Sequence, residues 1–263
     1  MKTITKIKNV LKGILPLRVL NSIRTMKYLA GGCTTYNQDG MVTCHNCDFM
    51  KDEVFIQSFN LGANTGSWRH GLAQGETPKN HWRVYVVLWA ANHAKHLEGE
   101  FVECGVDKGG HARAIINYVD FKNLKKKFYL LDTFCGLSEK YISEEEKRLG
   151  RKAGGYEECY ESVKETFKDF NNVGIIRGTV PDTLPHVKAK KVSFLSLDMN
   201  CAAPEIAAAE FFWDNLVSGA VIVLDDYGWK GYIEQKKAFD DFASRKGVQV
   251  LSLPTGQGLI FKP

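Results

Sequence analysis

From residue 100 onward the chain alternates between short apolar runs and longer amphipathic stretches. EFVECGV (100–106), KFYLLD (127–132), VGIIRG (173–178), VSFLSLD (192–198) and GAVIVLD (219–225) are runs of six or seven residues with almost no polar interruption. Runs of that length, rich in branched and aromatic residues, predict strands buried on both faces. Between them KGGHARAIINYV (108–119), YEECYESVKETFKDF (156–170) and PEIAAAEFFWDNL (204–216) carry helical spacing, as does GYIEQKKAFDDFASRKG (231–247) after the fifth run. Strands separated by helices of ten to fifteen residues demand crossover connections, so the sheet is parallel and covered by helices on both sides. Two last runs, VQVLSL and GLIFKP, are separated only by PTGQ, too short for a crossover. The final strand is therefore expected to run antiparallel.

Ahead of this region HWRVYVVLWAANHAKHLEG (81–99) is apolar on most sides and closes at Gly99, which predicts a well-buried helix ended by a glycine. Residues 31–80 are richer in Gly, Asn, Thr and Gln and read as a cap of loops and short helical pieces. In residues 1–30, Ile4, Ile7, Leu11, Ile14, Val19, Ile23 and Met26 recur at steps of three to five, an amphipathic helical arm broken near Pro16. The predicted organisation is thus an arm over 1–30, a cap over 31–80 and an α/β domain over 81–263.

Length and composition narrow the picture. With 263 residues, 44% hydrophobic and 25% charged, the chain has room for one large domain plus an appendage, and its composition is that of an ordinary globular protein. No apolar stretch approaches the span of a membrane helix, and the lysines of the first turn positions argue against a cleaved secretory signal. Seven scattered cysteines suit a reducing, cytoplasmic compartment. The net charge of +5 resides in the arm: its seven basic residues face no acid before Asp39, so the remainder carries −2. Such an arm suits either contact with an anionic membrane surface at the inner face or packing on a second copy in a homo-oligomer. The body shows no nucleic-acid-binding pattern.

Candidate chemistry gathers at the ends of the predicted strands, where open α/β sheets bind ligands. The first strand runs into ECGVDKGG (103–110), whose Gly105, Gly109 and Gly110 allow close approach of a charged ligand. The spacing G-x-x-x-G-G departs from the nicotinamide fingerprint. Asp132, 27 residues after Gly105, is placed to accept ribose hydroxyls, which suits either NAD or S-adenosylmethionine. Asp198 ends the fourth strand, and Asp225 with Asp226 the fifth. Neighbouring parallel strands lie about 4.8 Å apart, so the three carboxylates converge and invite a hard divalent cation. The alternative is that each caps the helix after it. Cys44, His45 and Cys47 with Cys33 upstream superficially suggest zinc, but no second C-x-x-C follows at finger spacing. His111 reads as packing or surface, Tyr227 and Trp229 as ligand-stacking or core aromatics, and SEEEKRLGRK (143–152) as a solvated loop or helix that also suits a mobile lid.

Taken in order, ECGVDKGG, YLLDTFCGL (129–137), GTVPDTLP (178–185), LSLDMN (195–200) and VIVLDDYG (221–228) resemble the sugar O-methyltransferases of the macrocin and mycinamicin type, together with the novobiocin enzyme. CHNCDFMKDEVF (44–55) resembles the segment before the core of that family, so the likeness spans roughly residues 41–263. It implies a class I methyltransferase fold of Rossmann-like type with a seven-stranded, mostly parallel sheet. It further implies S-adenosylmethionine as methyl donor, magnesium as metal and a sugar hydroxyl on a small molecule or glycolipid as acceptor. By position, Glu103, Gly105 and Gly109 correspond to the methionine end of the donor site, Asp132 to the ribose, and Gly178 with Thr179 to the adenine side. Asp198, Asp225 and Asp226 match the metal triad. The family reads D-x-D at the fourth strand, and here the second acid is Asn200, an amide that accepts no proton. Either the metal lowers the hydroxyl pKa enough for Asp198, His45 or water to take the acceptor's proton, or the acceptor chemistry differs. The C-terminal LSLPTGQGLIFKP is similar to a branch associated with surface-polysaccharide genes. Readings of another class are an NAD-dependent oxidoreductase and a non-catalytic binding protein on the same fold.

Overall fold

A computed structural model describes residues 16–30, 32, 34–69, 72–73 and 76–263. The chain divides into two compact units, residues 1–48 and 49–263. In the first, helix α1 (Leu17–Ala30) starts directly after Pro16, and strands β1 (Tyr36–Gln38) and β2 (Met41–Thr43) pair antiparallel about a turn at Asp39 and Gly40. The basic apolar pattern before Pro16 lies outside the described residues, as does Cys33. Among the described residues no helix is long and apolar enough to cross a membrane.

The second unit begins inside the stretch expected to be cap. Helix α2 (Glu53–Ala63) is capped by Asp52, whose carboxylate accepts from the Phe55 amide at 2.7 Å. Its Phe55 and Phe59 are buried in the same apolar cluster as the sheet domain. That burial, with Phe49 stacked on Tyr85 at 4.1 Å, ties residues 49–63 to the helical layer of the same unit as the sheet. Helix α3 (His81–Ala94) follows, ending five residues before Gly99.

The domain proper is β3 (Glu100–Cys104), α4 (Gly110–Tyr118), β4 (Phe128–Asp132), β5 (Gly136–Leu137), α5 (Glu144–Arg148), β6 (Gly154–Gly155), α6 (Tyr160–Phe167), β7 (Val173–Arg177), β8 (Val192–Leu197), α7 (Ala202–Trp213), β9 (Leu216–Leu224), α8 (Ile233–Lys246), β10 (Leu251–Ser252) and β11 (Gly258–Phe261). Seven strands form one sheet in the order β10-β11-β9-β8-β3-β4-β7. Strands β3, β4, β7, β8 and β9 are parallel, and β11 runs antiparallel between β9 and β10, as the short PTGQ link requires.

Alternation along the strands sorts the core into two layers. Phe101, Phe128, Phe194, Val221 and Val223 face α2, α3 and α4, whereas Val102, Leu131, Leu195, Leu197, Ile222 and Leu224 face α7 and α8. This parity has a consequence for the site: Glu103, Asp198 and Asp225 share the parity of Phe101, Phe194 and Val223, and so belong to the α3 side.

Candidate functional site

Strand register sets the site. Cys104 pairs with Leu131 on one side and Leu197 on the other, and Leu197 with Leu224. One residue further along lie Gly105, Asp132, Asp198 and Asp225, in a row at the carboxyl edge of the sheet. Backbone hydrogen bonds from Gly105 N to Leu131 O (2.9 Å), Asp198 N to Cys104 O (2.9 Å) and Asp225 N to Leu197 O (3.1 Å) carry the ladder into that row. The crevice between β3 and β8 is the topological switch point, where chain connections leave in opposite directions.

The glycine loop is packed so tightly that its composition is forced. Gly105 has φ +90°, and a Cβ there would lie 1.9 Å from the Asp198 carbonyl oxygen. Gly109, at φ +87°, is the left-handed residue before α4, and a Cβ on it would meet the Phe167 ring at 2.6 Å. No other residue type satisfies both the backbone and the space.

Asp132 is central to this loop in a way its spacing did not reveal. One carboxylate oxygen accepts from the amides of Val106 (2.5 Å) and Asp107 (2.8 Å), and the other from Phe134 (2.6 Å). The acid at the end of β4 therefore folds the glycine loop across from β3 and pins the turn after its own strand. Gly178 continues the row through its amide bond to the Asp132 carbonyl (2.8 Å), and the Thr179 carbonyl accepts from the amide and hydroxyl of Thr183.

Glu103 is 1% exposed, and its Oε2 has no hydrogen-bond partner among the described residues. Burial first, then the Asp198 and Asp132 carboxylates, push its carboxyl well above the usual range. His111 is likewise buried, faces Trp68 at 5.2 Å and has no partner for Nε2 among the described residues. Burial and the nearby Arg83 hold it down to about 3, so the ring is neutral.

At β8, burial and the Asp226 carboxylate raise Asp198 above the ordinary carboxylate range, with Arg83 pulling the other way. Asn200 Nδ2 points to Asp198 Oδ1 at 3.4 Å, and Asn200 Oδ1 accepts from the Tyr232 hydroxyl at 2.6 Å. Arg151 lies 3.8 Å over the Tyr232 ring and donates to the Asn200 carbonyl at 3.3 Å. Asn200 is thus oriented by a tyrosine and an arginine that the sequence reading did not single out.

The stretch 143–152 is docked rather than merely solvated. Its Ser143 and Glu146 form a capping box on α5, and the buried Glu146 also accepts from the Ala202 amide at the start of α7 (2.7 Å). The two-residue ladder β5–β6 closes the base of the excursion. Tyr227 belongs to the core, its hydroxyl bonded to Asp240, whereas Trp229 lies under Arg83, whose guanidinium is 5.6 Å from the ring centroid. Trp229 Nε1 has no partner among the described residues.

The expected metal triad is not assembled as one. Arg83, from α3, pairs directly with Asp225 Oδ2 and lies 3.5 Å from Asp226 Oδ1. Gln257 donates to the other Asp225 oxygen at 2.9 Å. Both oxygens of the central acid are therefore engaged by protein donors, and among the described residues no group of three or more His, Cys, Asp or Glu side chains is placed to hold a metal ion. The residues present do not fit magnesium at this place, because a hard cation needs those carboxylate oxygens for itself. The convergence of acids was legible from the strand ends. Arg83, the one Lys or Arg in that helix, was the available signal for what neutralises them. His45, in the first unit, is exposed, and its carbonyl accepts from the Thr35 hydroxyl.

Comparison with known proteins places the fold. The O-methyltransferase NovP superposes with a TM-score of 0.63 at 16% identity, covering 79% of this chain and 97% of that one. The calicheamicin methyltransferase CalS11 gives 0.56 at 14% identity, over 82% and 94% of the two chains. The SAH-bound methyltransferase PaMTH1 of Podospora anserina gives 0.51 at 15% identity, over 95% and 98%. At these identities the likeness establishes the Rossmann-like methyltransferase fold. No curated protein matches the sequence at a significant level. The family described as macrocin-O-methyltransferase (TylF) matches residues 86–251, which contain the glycine loop, Asp132, Asn200 and all three strand-end acids. The chain belongs to the macrocin-O-methyltransferase family and is an S-adenosylmethionine-dependent O-methyltransferase.

Proposed function

We propose that the protein methylates a hydroxyl of a sugar carried on a small molecule or glycolipid, with Asp198 receiving the hydroxyl proton. The observation that carries this reading is the row at the carboxyl edge, where the glycine loop, the unpartnered Glu103 and the raised Asp198 share one crevice. S-adenosylmethionine supplies a methyl group on a sulfonium centre. Glu103 binds the ammonium of the donor's amino acid part: its buried Oε2 has no protein donor among the described residues. Gly105 and Gly109 let the loop turn tightly against the Asp198 carbonyl and the Phe167 ring and so set its course past the methionine end of the donor, while Asp132 holds the loop amides in place and offers its remaining lone pairs to the ribose. Gly178 and Thr179, following β7, border the adenine side.

Asn200 fixes Asp198 rather than replacing it. Its Oδ1 is committed to the Tyr232 hydroxyl, so its Nδ2 faces the carboxylate and holds one oxygen while the other stays open to the acceptor. A carboxyl raised above the ordinary range is a better proton acceptor near neutrality than an unshifted one. His45 is a second, weaker reading for this role, supported only by the resemblance of its segment. A surface-polysaccharide setting and a nicotinamide-like use of the loop carry no comparable observation.

The test is turnover. Full-length protein, S-adenosylmethionine and a panel of sugar nucleotides and glycolipids are analysed by mass spectrometry for gain of one methyl group. Methylation by the parent protein that is lost in Asp198→Asn and kept in His45→Ala supports the assignment. Loss in His45→Ala with full activity in Asp198→Asn refutes it.

A further inference from the structure

Three acids at neighbouring strand ends need a positive partner, and the question is which group supplies it. Arg83 comes from α3, whose Val84, Val87 and Leu88 are fully buried, so the stem of the side chain is fixed by the core. The guanidinium pairs with Asp225, stands 3.5 Å from Asp226 and rests 5.6 Å over Trp229. Gln257, completely buried, ties the arrangement together: its Nε2 donates to Asp225 Oδ1 at 2.9 Å and to the Arg83 carbonyl at 3.3 Å, and its Oε1 accepts from the Thr255 hydroxyl at 2.9 Å. Asp225 is thus held from both oxygens by donors that arrive from α3 and from the turn before β11.

Resting on the reading above that the crevice is the methyl-transfer site, we infer that Arg83 occupies the place of the divalent cation and that the protein works without one. An arginine does two of the tasks a metal would do. Its fixed charge faces both Asp225 and Asp226, and its planar fork holds an oxygen ligand by direction rather than by coordination number. The buried Nε–H has no partner among the described residues. The donor's own sulfonium and ammonium add the remaining positive charge, one of them lost on methyl transfer. A divalent ion at Asp225 would have to expel the guanidinium and then sit beside it.

Manganese serves as the probe. The full-length protein, saturated with S-adenosylhomocysteine, is titrated with Mn²⁺ and free ion is followed by its electron paramagnetic resonance signal, in parallel with the Asp225→Asn and Arg83→Gln variants. The expected result is no stoichiometric binding to the parent protein, a new site in Arg83→Gln, and turnover undiminished by chelator. Binding by the parent that survives Asp225→Asn lies elsewhere and leaves Arg83 on its acids, which supports the inference. One Mn²⁺ bound per chain and lost in Asp225→Asn overturns it, as does turnover abolished by chelator and restored by magnesium. The parent measurement decides even where Arg83→Gln fails to fold. Calorimetry with S-adenosylhomocysteine in chelator is the separate control: if no binding occurs with or without metal, the methyltransferase site assignment fails, while the Mn²⁺ titration still decides on Arg83.

Discussion

Replacing Asp132 by alanine separates two roles that the sequence alone could not distinguish. If the acid only grips ribose hydroxyls, Asp132→Ala weakens donor binding and leaves the free protein as stable as before. In the structure its carboxylate accepts three backbone N–H bonds, from Val106, Asp107 and Phe134, at 2.5 to 2.8 Å. Hydrogen bonds to a charged group contribute about 1.5–3 kcal/mol each when broken singly. Water reaches the half-buried site and recovers part of this, so a net loss of about 3 kcal/mol is expected for the three together. For a domain of this size each kcal/mol moves the melting temperature by about 2–4 °C, giving a drop of roughly 6–12 °C. The assay is thermal and urea denaturation of the ligand-free protein, paired with calorimetric titration of S-adenosylhomocysteine. Both stability and affinity should fall, and Asp132→Asn, which keeps one accepting oxygen, should fall between. A variant that melts with the parent while binding a hundredfold more weakly refutes the loop-organising role. One that melts early and binds normally removes Asp132 from the donor site.

Gly105→Ala should cost at least about 3 kcal/mol, since it combines a left-handed backbone with a Cβ that must displace the Asp198 carbonyl; a folded, normally melting variant would contradict the packing described. Glu103→Gln should leave the ligand-free protein as stable or more so, because it removes a buried carboxyl, yet weaken S-adenosylhomocysteine about tenfold to a hundredfold through the lost ammonium partner. Unchanged affinity by calorimetry would dismiss that contact. Glu205 is pushed up to about 8, chiefly by burial, so its contribution to stability is complete below its unfolded value and is lost as pH rises toward 8. Urea midpoints measured from pH 5 to 9 should decline more steeply for the parent than for Glu205→Gln, and parallel profiles would show the group titrates normally.

The order of strands and helices, the antiparallel last strand and the glycine loop were legible in the sequence because each depends on local chemistry. A run such as VSFLSLD has nowhere to go but the centre of a sheet, PTGQ cannot cross over, and Gly105 and Gly109 mark backbone that no other residue adopts. The strand-end position of Asp198 and Asp225 was legible for the same reason. What those acids meet was not, because it is fixed by partners far away in the chain. Arg83 reaches Asp225 across 142 positions, and Gln257 reaches it from the other direction across 32. Asp132 looked like a ribose ligand by spacing, and only the register of β3 beside β4 brings the amides of Val106 and Asp107 onto its carboxylate. The packing of residues 53–63 was hidden likewise: the composition of 31–80 reads as loop, but Phe55 and Phe59 have an apolar face to bury, and the sheet's helical layer receives them. Local sequence determined which elements exist and where their polar ends fall; which charge neutralises which was decided by packing, since a buried carboxylate takes whatever donor the fold brings within reach.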